Sequence, residues 1–393
     1  MSLDFLQVSQ QVKQLGEQAV LRQHELADRS AQAQSILESF AREIDPLKDK
    51  VQQVVDGYDA TIRCAVPVVE ALNGHFPLPS LPDQVTLIAA DGSQIFADRH
   101  AEVDYCLVNT GLIWMRYGSP EAPKTDVKSQ LIYADKLEGM SDDRLSLQRD
   151  LAERSRLLEL AKQVPTPVIT LTDGPLELWT TTLEAGRVAG EFKQSLEQYL
   201  AVLHQLRKLK VTTAGYVDKP GADLVVRLLE VAQASTDDLA QMKKFRPFKG
   251  VTDRELFREI LPAGERSAVF AIQSRSSSQY QGEISLYFFY LNVGKPDKAY
   301  LTRVEIPKWV AQDHLMLDDL HAVLVNQCHM IGARAYPYLL HRAHETALVT
   351  LDDKEQVTQM IVNELRKRGL EVDGESAKQY NKDVSGKRTR FEA

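Results

Sequence analysis

The chain has 393 residues, of which 47 are basic and 55 acidic, so its formal charge is −8 at neutral pH; 44% of its residues are apolar and 26% charged. Those proportions describe a folded protein with ample core material; they exclude wholesale disorder and count against indiscriminate coating of nucleic acid, while leaving room for a local basic groove. No apolar run reaches about 18 residues and the N-terminus is polar, so neither a membrane span nor a signal peptide is expected and the expected location is cytoplasmic.

The first 40 residues are poor in Gly and Pro and carry Phe5, Val8, Val12, Leu15, Ala19, Arg22, Leu26, Arg29, Ala33, Ile36 and Phe40 at alternating spacings of three and four. This predicts one long helix whose apolar stripe must be covered by the rest of the protein or by a second subunit. Pro46 is expected to end it, and a second helical stretch near 51–72 to run up to the breakers Pro77, Pro79 and Pro82. From Val85 the texture is that of strands. Residues 87–90 form an apolar run stopping at Asp91-Gly92-Ser93, and 101–117 read as two strands about a turn at Asn109-Thr110-Gly111.

A polar helix follows from about Ser141 to Gln163, with Ser141 or Asp142 as its N-cap. A buried strand over 168–172 then stops at Asp173-Gly174; a helix over 183–209, a strand over 212–217 and a helix from about Asp223 come next. Residues 237–278, irregular and rich in charge, Ser and Gly, read as a lid or insertion. Two strands (284–293 and 299–306), two helices and a polar tail bearing Lys387, Arg388 and Arg390 complete the chain. Cys64, Cys106 and Cys328 are far apart and form no CxxC pair, so no disulfide framework or cysteine zinc site is expected, and all three should be reduced and buried.

The device that carries chemistry is an apolar strand ending in Asp-Gly, which occurs at Asp91 and again at Asp173. At the carboxyl ends of neighbouring strands of an α/β sheet such side chains meet in one crevice. Two carboxylates held together repel each other unless a cation lies between them, so a shared divalent metal is the stable arrangement. Asp-Gly is also a common turn, and either copy alone would be read that way. A third acid should come from the intervening helix. There Glu153 shares a face with Leu157 and Leu160 and points toward the sheet, whereas Glu159 sits among Ser155, Lys162 and Gln163 on a solvated face. Arg149, one turn before Glu153, can pair with it, and a simple surface pair is the bland alternative.

Such a set on an RNase H-like sheet holds two divalent cations that hydrolyse a phosphodiester. The ordered motifs Asp-Gly-Ser (91–93), Arg149 with Glu153, Thr-Asp-Gly-Pro-Leu (172–176), Gly-Tyr-Val-Asp-Lys (215–219), Arg-Val-Glu-Ile-Pro (303–307) and Tyr-Pro-Tyr-Leu-Leu-His-Arg-Ala-His (336–344) resemble the NurA nuclease family over about residues 85–350. The resemblance implies an α/β fold with an RNase H-like mixed sheet flanked by helices, preceded here by an N-terminal helical extension. It further implies a Mn²⁺- or Mg²⁺-dependent DNA nuclease, with a two-metal site and with 5′-to-3′ exonuclease and single-strand endonuclease activities. Such enzymes work as homodimers on a hexameric HerA-type ATPase in DNA end processing and repair. Carried onto this sequence, Asp91, Glu153 and Asp173 match the metal-binding acids, His344 the C-terminal histidine of the site and Lys219 a basic residue after the third strand. Asp218 beside that lysine, and Pro175 after the second Asp-Gly, depart from the pattern.

Leu340, His344 and Leu348 are expected on one buried face, where a neutral imidazole would complete a metal sphere, move a proton at the scissile phosphate, or simply be a satisfied core histidine. Lys243, Lys244, Arg246, Lys249 and Arg254, interleaved with Phe245 and Phe248, form the densest basic stretch. They would track a DNA backbone while a phenylalanine stacks on a base, unless they are an ordinary solvated loop. Arg275 with Ser276–278 adds phosphate donors, and Tyr336 and Tyr338 are candidates for a base or phosphate contact or for core packing. The pattern GxxxxGK[ST] is absent, so any motor must act in trans; GxSxG and HExxH are absent too. The expected organisation is a helical region over 1–80 for dimerisation or packing, a nuclease domain over 81–350 with an insertion at 237–283, and a C-terminal helix and tail over 351–393. The competing readings are a non-catalytic dimeric adaptor of a hexameric ATPase that keeps the nuclease fold, and a phosphoesterase for small substrates.

Overall fold

The computed structural model describes residues 3–97, 102–137, 140–178, 187–332 and 335–370. In chain order the elements begin with α1 (Phe5–Ser39), α2 (Ile44–Gly57), β1 (Cys64–Pro67), β2 (His75–Phe76), β3 (Thr86–Ile95), β4 (Cys106–Arg116), β5 (Lys124–Ile132), α3 (Asp142–Ala161) and β6 (Val168–Asp173). They continue with α4 (Arg187–Lys208), β7 (Thr212–Val217), α5 (Leu224–Gln233), α6 (Thr236–Leu239), α7 (Asp253–Arg258), β8 (Arg266–Ser267), β9 (Phe270–Gln273), β10 (Leu286–Asn292) and β11 (Leu301–Pro307). The last four are α8 (Lys308–Ala311), α9 (His314–His329), α10 (Tyr338–Ala347) and α11 (Leu351–Lys367). The described residues gather into two compact units, each built from separate stretches of chain: 3–82, 174–176 and 213–337 in the first, and 83–173, 177–212 and 338–370 in the second.

The first unit carries the strand order β1-β9-β10-β11-β7, every neighbouring pair antiparallel, with β2 paired to β8 and β8 to β10. Phe257 stacks on Tyr290 and Phe270 on Phe288 in its core. Helix α5 is buried from Leu224 to Ala232, so the unpaired N–H groups of its first turn need a partner other than water. Asp253, fully buried, supplies it, accepting from Val226 and Val225 at 2.8 and 3.0 Å and from the Tyr290 hydroxyl at 2.6 Å. Two expectations are corrected here. Pro46 does not end the first helix; it lies in the first turn of α2, where a missing N–H costs nothing, and β1 rather than more helix follows. Residues 237–278 are irregular only in part: between turns they hold the end of α6 and the short elements α7, β8 and β9, and buried Phe248, Val251, Leu256, Phe257 and Leu261 anchor the segment. Of α1, only the C-terminal half packs, through Ala33, Leu37 and a 2.8 Å bond from Arg29 to the Lys249 carbonyl.

In the second unit β3, β4 and β5 form an antiparallel meander, and β6, reached through α3, joins β3 in parallel, giving the order β6-β3-β4-β5. A meander, a helix and a strand parallel to the first make this a mixed sheet of RNase H type, flanked by helices. Alternation along β3 sends Asp91 and Ser93 toward α10, where Ser93 donates to the Ala347 carbonyl at 2.5 Å. It sends Gly92 and Gln94 toward α3, where Gln94 meets Ser146 and Arg149.

Two strand assignments also change in this unit. β3 runs through Asp91-Gly92-Ser93 instead of stopping there, and β4 runs straight through Asn109-Thr110-Gly111 instead of turning. Gly111 serves close approach: a Cβ there would lie 2.6 Å from the Ala347 nitrogen and 2.9 Å from the Ala343 oxygen, so only glycine lets α10 lie on the strand. Asn109 adds a 2.8 Å bond to the Ala347 carbonyl. The strand β5 has no counterpart in the expectations, since it is exposed at every position but Ile132 and therefore shows no alternation. All three cysteines are buried and free. Among the described residues, no helix is long and apolar enough to cross a membrane. The tail bearing Lys387, Arg388 and Arg390, and the expected helix start at 183–186, lie outside the described residues.

Candidate active site

The candidate acids Asp91, Glu153 and Asp173 belong to the second unit, and two of them, Asp91 and Glu153, stand beside Gly92. From one side Asp91 accepts the Gly92 N–H on Oδ1 at 2.8 Å and, on Oδ2, pairs with His344 Nδ1 at 2.7 Å. From the other, Glu153 reaches out of α3 until its Oε1 would stand only 2.7 Å from a Cβ at position 92. A side chain there would drive Glu153 and Arg149 away, so the glycine of Asp-Gly-Ser is a requirement of the site as much as of the backbone. Asp173 ends β6. Since Ala90 is in register with Thr172, Asp91 and Asp173 are the next positions on adjacent parallel strands and project from the same face.

Glu153 is buried as its spacing predicted, with 7% of its side chain exposed, while Glu159 is exposed. Burial pushes the Glu153 carboxyl up to about 8; Arg154 opposes the rise, and Asp150 and Asp91 add to it. Arg149 Nε lies 3.4 Å from Glu153 Oε1, and the same guanidinium donates to Asp150 Oδ1 at 2.8 Å and to Gln94 Oε1 at 2.9 Å. Arg154 Nη1 lies 3.9 Å from Glu153 Oε2 and donates to the Asp150 carbonyl at 3.0 Å, its guanidinium carbon 5.1 Å from the centre of the Tyr199 ring. Asp150, Arg154 and Gln94 escaped the sequence reasoning. Neighbours at i and i+1 on a helix do not share a face, so nothing in the pattern points from Glu153 to Arg154.

His344 corrects an expectation. Its side chain is 63% exposed, and so is Leu348 at 54%, because α10 ends at Ala347 and only Leu340 of the three is buried. The exposed imidazole is held by Asp91 rather than by a core. His341 instead pairs with Glu345 at 3.4 Å. Among the described residues, no three His, Cys, Asp or Glu side chains are gathered as a metal cage. The donor chemistry still suits a hard divalent cation, being carboxylate oxygens with one imidazole. A buried Glu153 whose ionised form is so disfavoured is a group that a further cation would relieve.

The remaining candidates belong to the first unit. Lys219 adopts a left-handed φ of 45°, is exposed, and has Nζ 5.9 Å from the centre of the Tyr300 ring, whose hydroxyl donates to Asp218 at 2.6 Å. Lys243, Lys244, Lys249 and Arg275 are exposed, Lys243 lying 3.8 Å from Asp59. Arg246 is engaged by Asp223 and, at 2.8 Å, by Glu230. Phe248 is a correction: at 2% exposure it is a core side chain and offers no face to a base, and Phe245 is half-buried. Tyr336 packs edge-on against Tyr216, with ring centres 5.6 Å apart.

A model of the NurA domain family matches residues 85–349. No curated protein matches the sequence. Among solved structures, the chain is similar to the NurA nuclease from Sulfolobus solfataricus, with 14% identity over 82% of this chain and 92% of that one and a TM-score of 0.47. It is also similar to the catalytic domain of human endonuclease V, with 12% identity over 70% and 83% of the two chains and a TM-score of 0.31. Endonuclease V of Ciona intestinalis, in complex with an inosine-containing 24mer DNA, gives 12% identity over 81% and 99% and a TM-score of 0.32.

Proposed function

The chain belongs to the NurA domain family, and from that membership together with the acids around Gly92 we propose that it is a DNA nuclease that hydrolyses phosphodiester bonds with Mn²⁺ or Mg²⁺. The observation that carries the reading is the meeting of Asp91 and Glu153 at a glycine that admits no side chain. Asp91, Glu153, Asp173 and His344 would hold one or two of the cations. A cation bound there supplies Lewis acidity toward a phosphate oxygen and a more acidic water.

The side chains themselves have separate tasks. Glu153 turns from a buried, protonated acid into an anionic ligand once positive charge beside it offsets its burial. Asp91, an acceptor when ionised, accepts a bond from Nδ1–H of His344 at 2.7 Å and so fixes the ring, leaving Nε2 directed elsewhere for a cation or for a proton of the attacking water. Arg149, held by Asp150 and Gln94, keeps a guanidinium beside the acids where a phosphate anion needs one. As further parts of the proposal, the enzyme acts as a 5′-to-3′ exonuclease and single-strand endonuclease, as a homodimer, with a HerA-type hexameric ATPase supplying the motor that this sequence lacks. Lys219, the basic stretch at 243–249, Arg275 and Tyr336 are its candidate DNA contacts, Arg246 only if DNA releases it from Asp223 and Glu230.

The test is incubation of the purified chain with end-labelled single- and double-stranded DNA in Mn²⁺, Mg²⁺ or EDTA. Cleavage should require the metal and fall by a hundredfold or more in Asp91→Ala and Asp173→Ala, on the order expected when a group acting in the transition state is removed. Cleavage that persists in EDTA, or that the two variants retain, overturns the metal mechanism. A chain that binds the ATPase but cuts nothing would instead be the adaptor.

A further inference from the structure

We propose that the cleft between the end of β3 and the start of α11 is a nucleobase subsite, taking a base a few nucleotides along the strand from the scissile phosphate. The proposal rests on the nuclease reading above and adds where the substrate is gripped. The cleft has a volume of about 360 Å³, with Ile95, Phe96, Val349 and Leu351 as its apolar wall and Gln94 and Lys354 among its polar residues. That volume lies in the range of small-molecule sites, about 300–1,000 Å³.

Position argues for the substrate. Phe96, on which the base would stack, follows Asp91 by five residues along and just past β3, about 16 Å at 3.3 Å per residue, so the subsite lies a few nucleotides along the strand from the acids. The Gln94 side chain also accepts from Arg149 at 2.9 Å, and Arg149 contacts Glu153. The cleft is therefore continuous with Asp91 through the backbone of β3, while the Gln94 side chain joins Arg149 and Glu153 on the α3 side of the sheet, and all of these residues belong to the second unit.

Chemistry selects the base rather than the phosphate. Phe96 is 39% and Leu351 75% exposed, large apolar side chains left on the wall of a cavity beside a charged site. The first turn of α11 offers an anion little, since its capping box already pairs Thr350 with Asp353 and both Asp352 and Asp353 are acidic. A flat, neutral ring fits those surroundings: one face on Phe96, apolar contact with Val349 and Leu351, and a polar edge toward Lys354. Since every base has such a face, the subsite grips DNA without reading its sequence.

The experiment measures binding of a labelled single-stranded oligonucleotide by fluorescence anisotropy in EDTA, so it needs no catalysis. Phe96→Ala should weaken binding about tenfold, the size of one base–aromatic stack. A series of oligonucleotides, each lacking one base, should contain a position whose loss costs the native chain the same factor. At that position Phe96→Ala should add no further loss, as two changes to one contact do not add. Phe96→Trp should bind as well as the native chain, and the fluorescence it adds to that of the three native tryptophans should be quenched by the intact strand but not by the one lacking that base. Independent, multiplying effects of Phe96→Ala and base removal, or no quenching of that added fluorescence in a DNA-bound chain, overturn the subsite. A chain that passes this test and yet never cleaves DNA leaves the subsite standing and overturns the nuclease reading alone.

Discussion

Glu153 stands against Gly92 with little access to water, and a carboxylate so placed must be compensated or protonated. Arg154 and Arg149 compensate only in part, which is why the carboxyl is pushed up to about 8. A Gln is nearly isosteric with the protonated form, so Glu153→Gln should melt close to the native chain in EDTA. The two should part when Mn²⁺ is added. A ligand at about 100 times its Kd stabilises the native state by about 2.7 kcal/mol, which raises Tm by several degrees. Differential scanning fluorimetry should show that shift in the native chain and little of it in the variant; equal shifts would remove Glu153 from the metal site. At this scale the sequence was a good guide where spacing carries the information. The burial of Glu153 and the exposure of Glu159 follow from the face that Glu153 shares with Leu157 and Leu160, and Asp173 ends β6 as the apolar run before it predicts, whereas β3 runs on past Asp91. It was a poor guide where the partner comes from elsewhere in the chain: the exposure of His344 depends on where α10 ends and on Asp91, and no periodicity records either.

Elements were misread where one residue signal serves two physical purposes. Asn109-Thr110-Gly111 has the composition of a turn, yet the same Gly is what a strand needs when a helix backbone crosses it, and the same Asn bonds that helix at Ala347. Pro46 likewise suits the first turn of a helix as well as the end of one. β5 was invisible because a strand exposed on both faces has no alternation to read. By contrast α3, β6, β7, β10 and β11 were legible from apolar runs bounded by caps and breakers. Gly111 ties this scale to the site, since α10 carries His344. Gly111→Ala would force a methyl into the backbone at Ala343 and Ala347, an overpacking that costs about 1–3 kcal/mol. Thermal melting should record that loss, and DNA cleavage should fall more than the loss of folded protein accounts for, because α10 must shift and carry His344 off Asp91. A variant as stable and active as the native chain would show that α10 does not depend on this close approach.

At the scale of the whole molecule two sequence-level facts take on a different meaning. The charge of −8 no longer argues against DNA, since Asp91, Glu153 and Asp173 are part of it and are the groups a divalent cation would neutralise. The stripe along α1 divides in two: Leu26, Arg29 and Ala33, with Leu37 beside the stripe, meet the rest of the first unit, whereas Phe5, Val8, Val12 and Leu15 stand in water at 64%, 39%, 59% and 68% exposure. The uncovered half, from residue 5 to 22, is about 25 Å long at 1.5 Å per residue. An amphipathic helix of that length draws most of its stability from a covered apolar face, and each large side chain taken out of water contributes about 1.5–3 kcal/mol. A second copy of the chain offers a matching face, with Phe5, Val8, Val12 and Leu15 at the three-four spacing that lets two helices interdigitate. Light scattering at micromolar concentration should therefore give twice the chain mass. Val12→Glu with Leu15→Glu, exposed positions where a polar side chain costs the folded chain little, should give the single mass with an unchanged circular dichroism spectrum. A native chain of single mass, or a dimer that survives both substitutions, would mean that α1 does not make the homodimer.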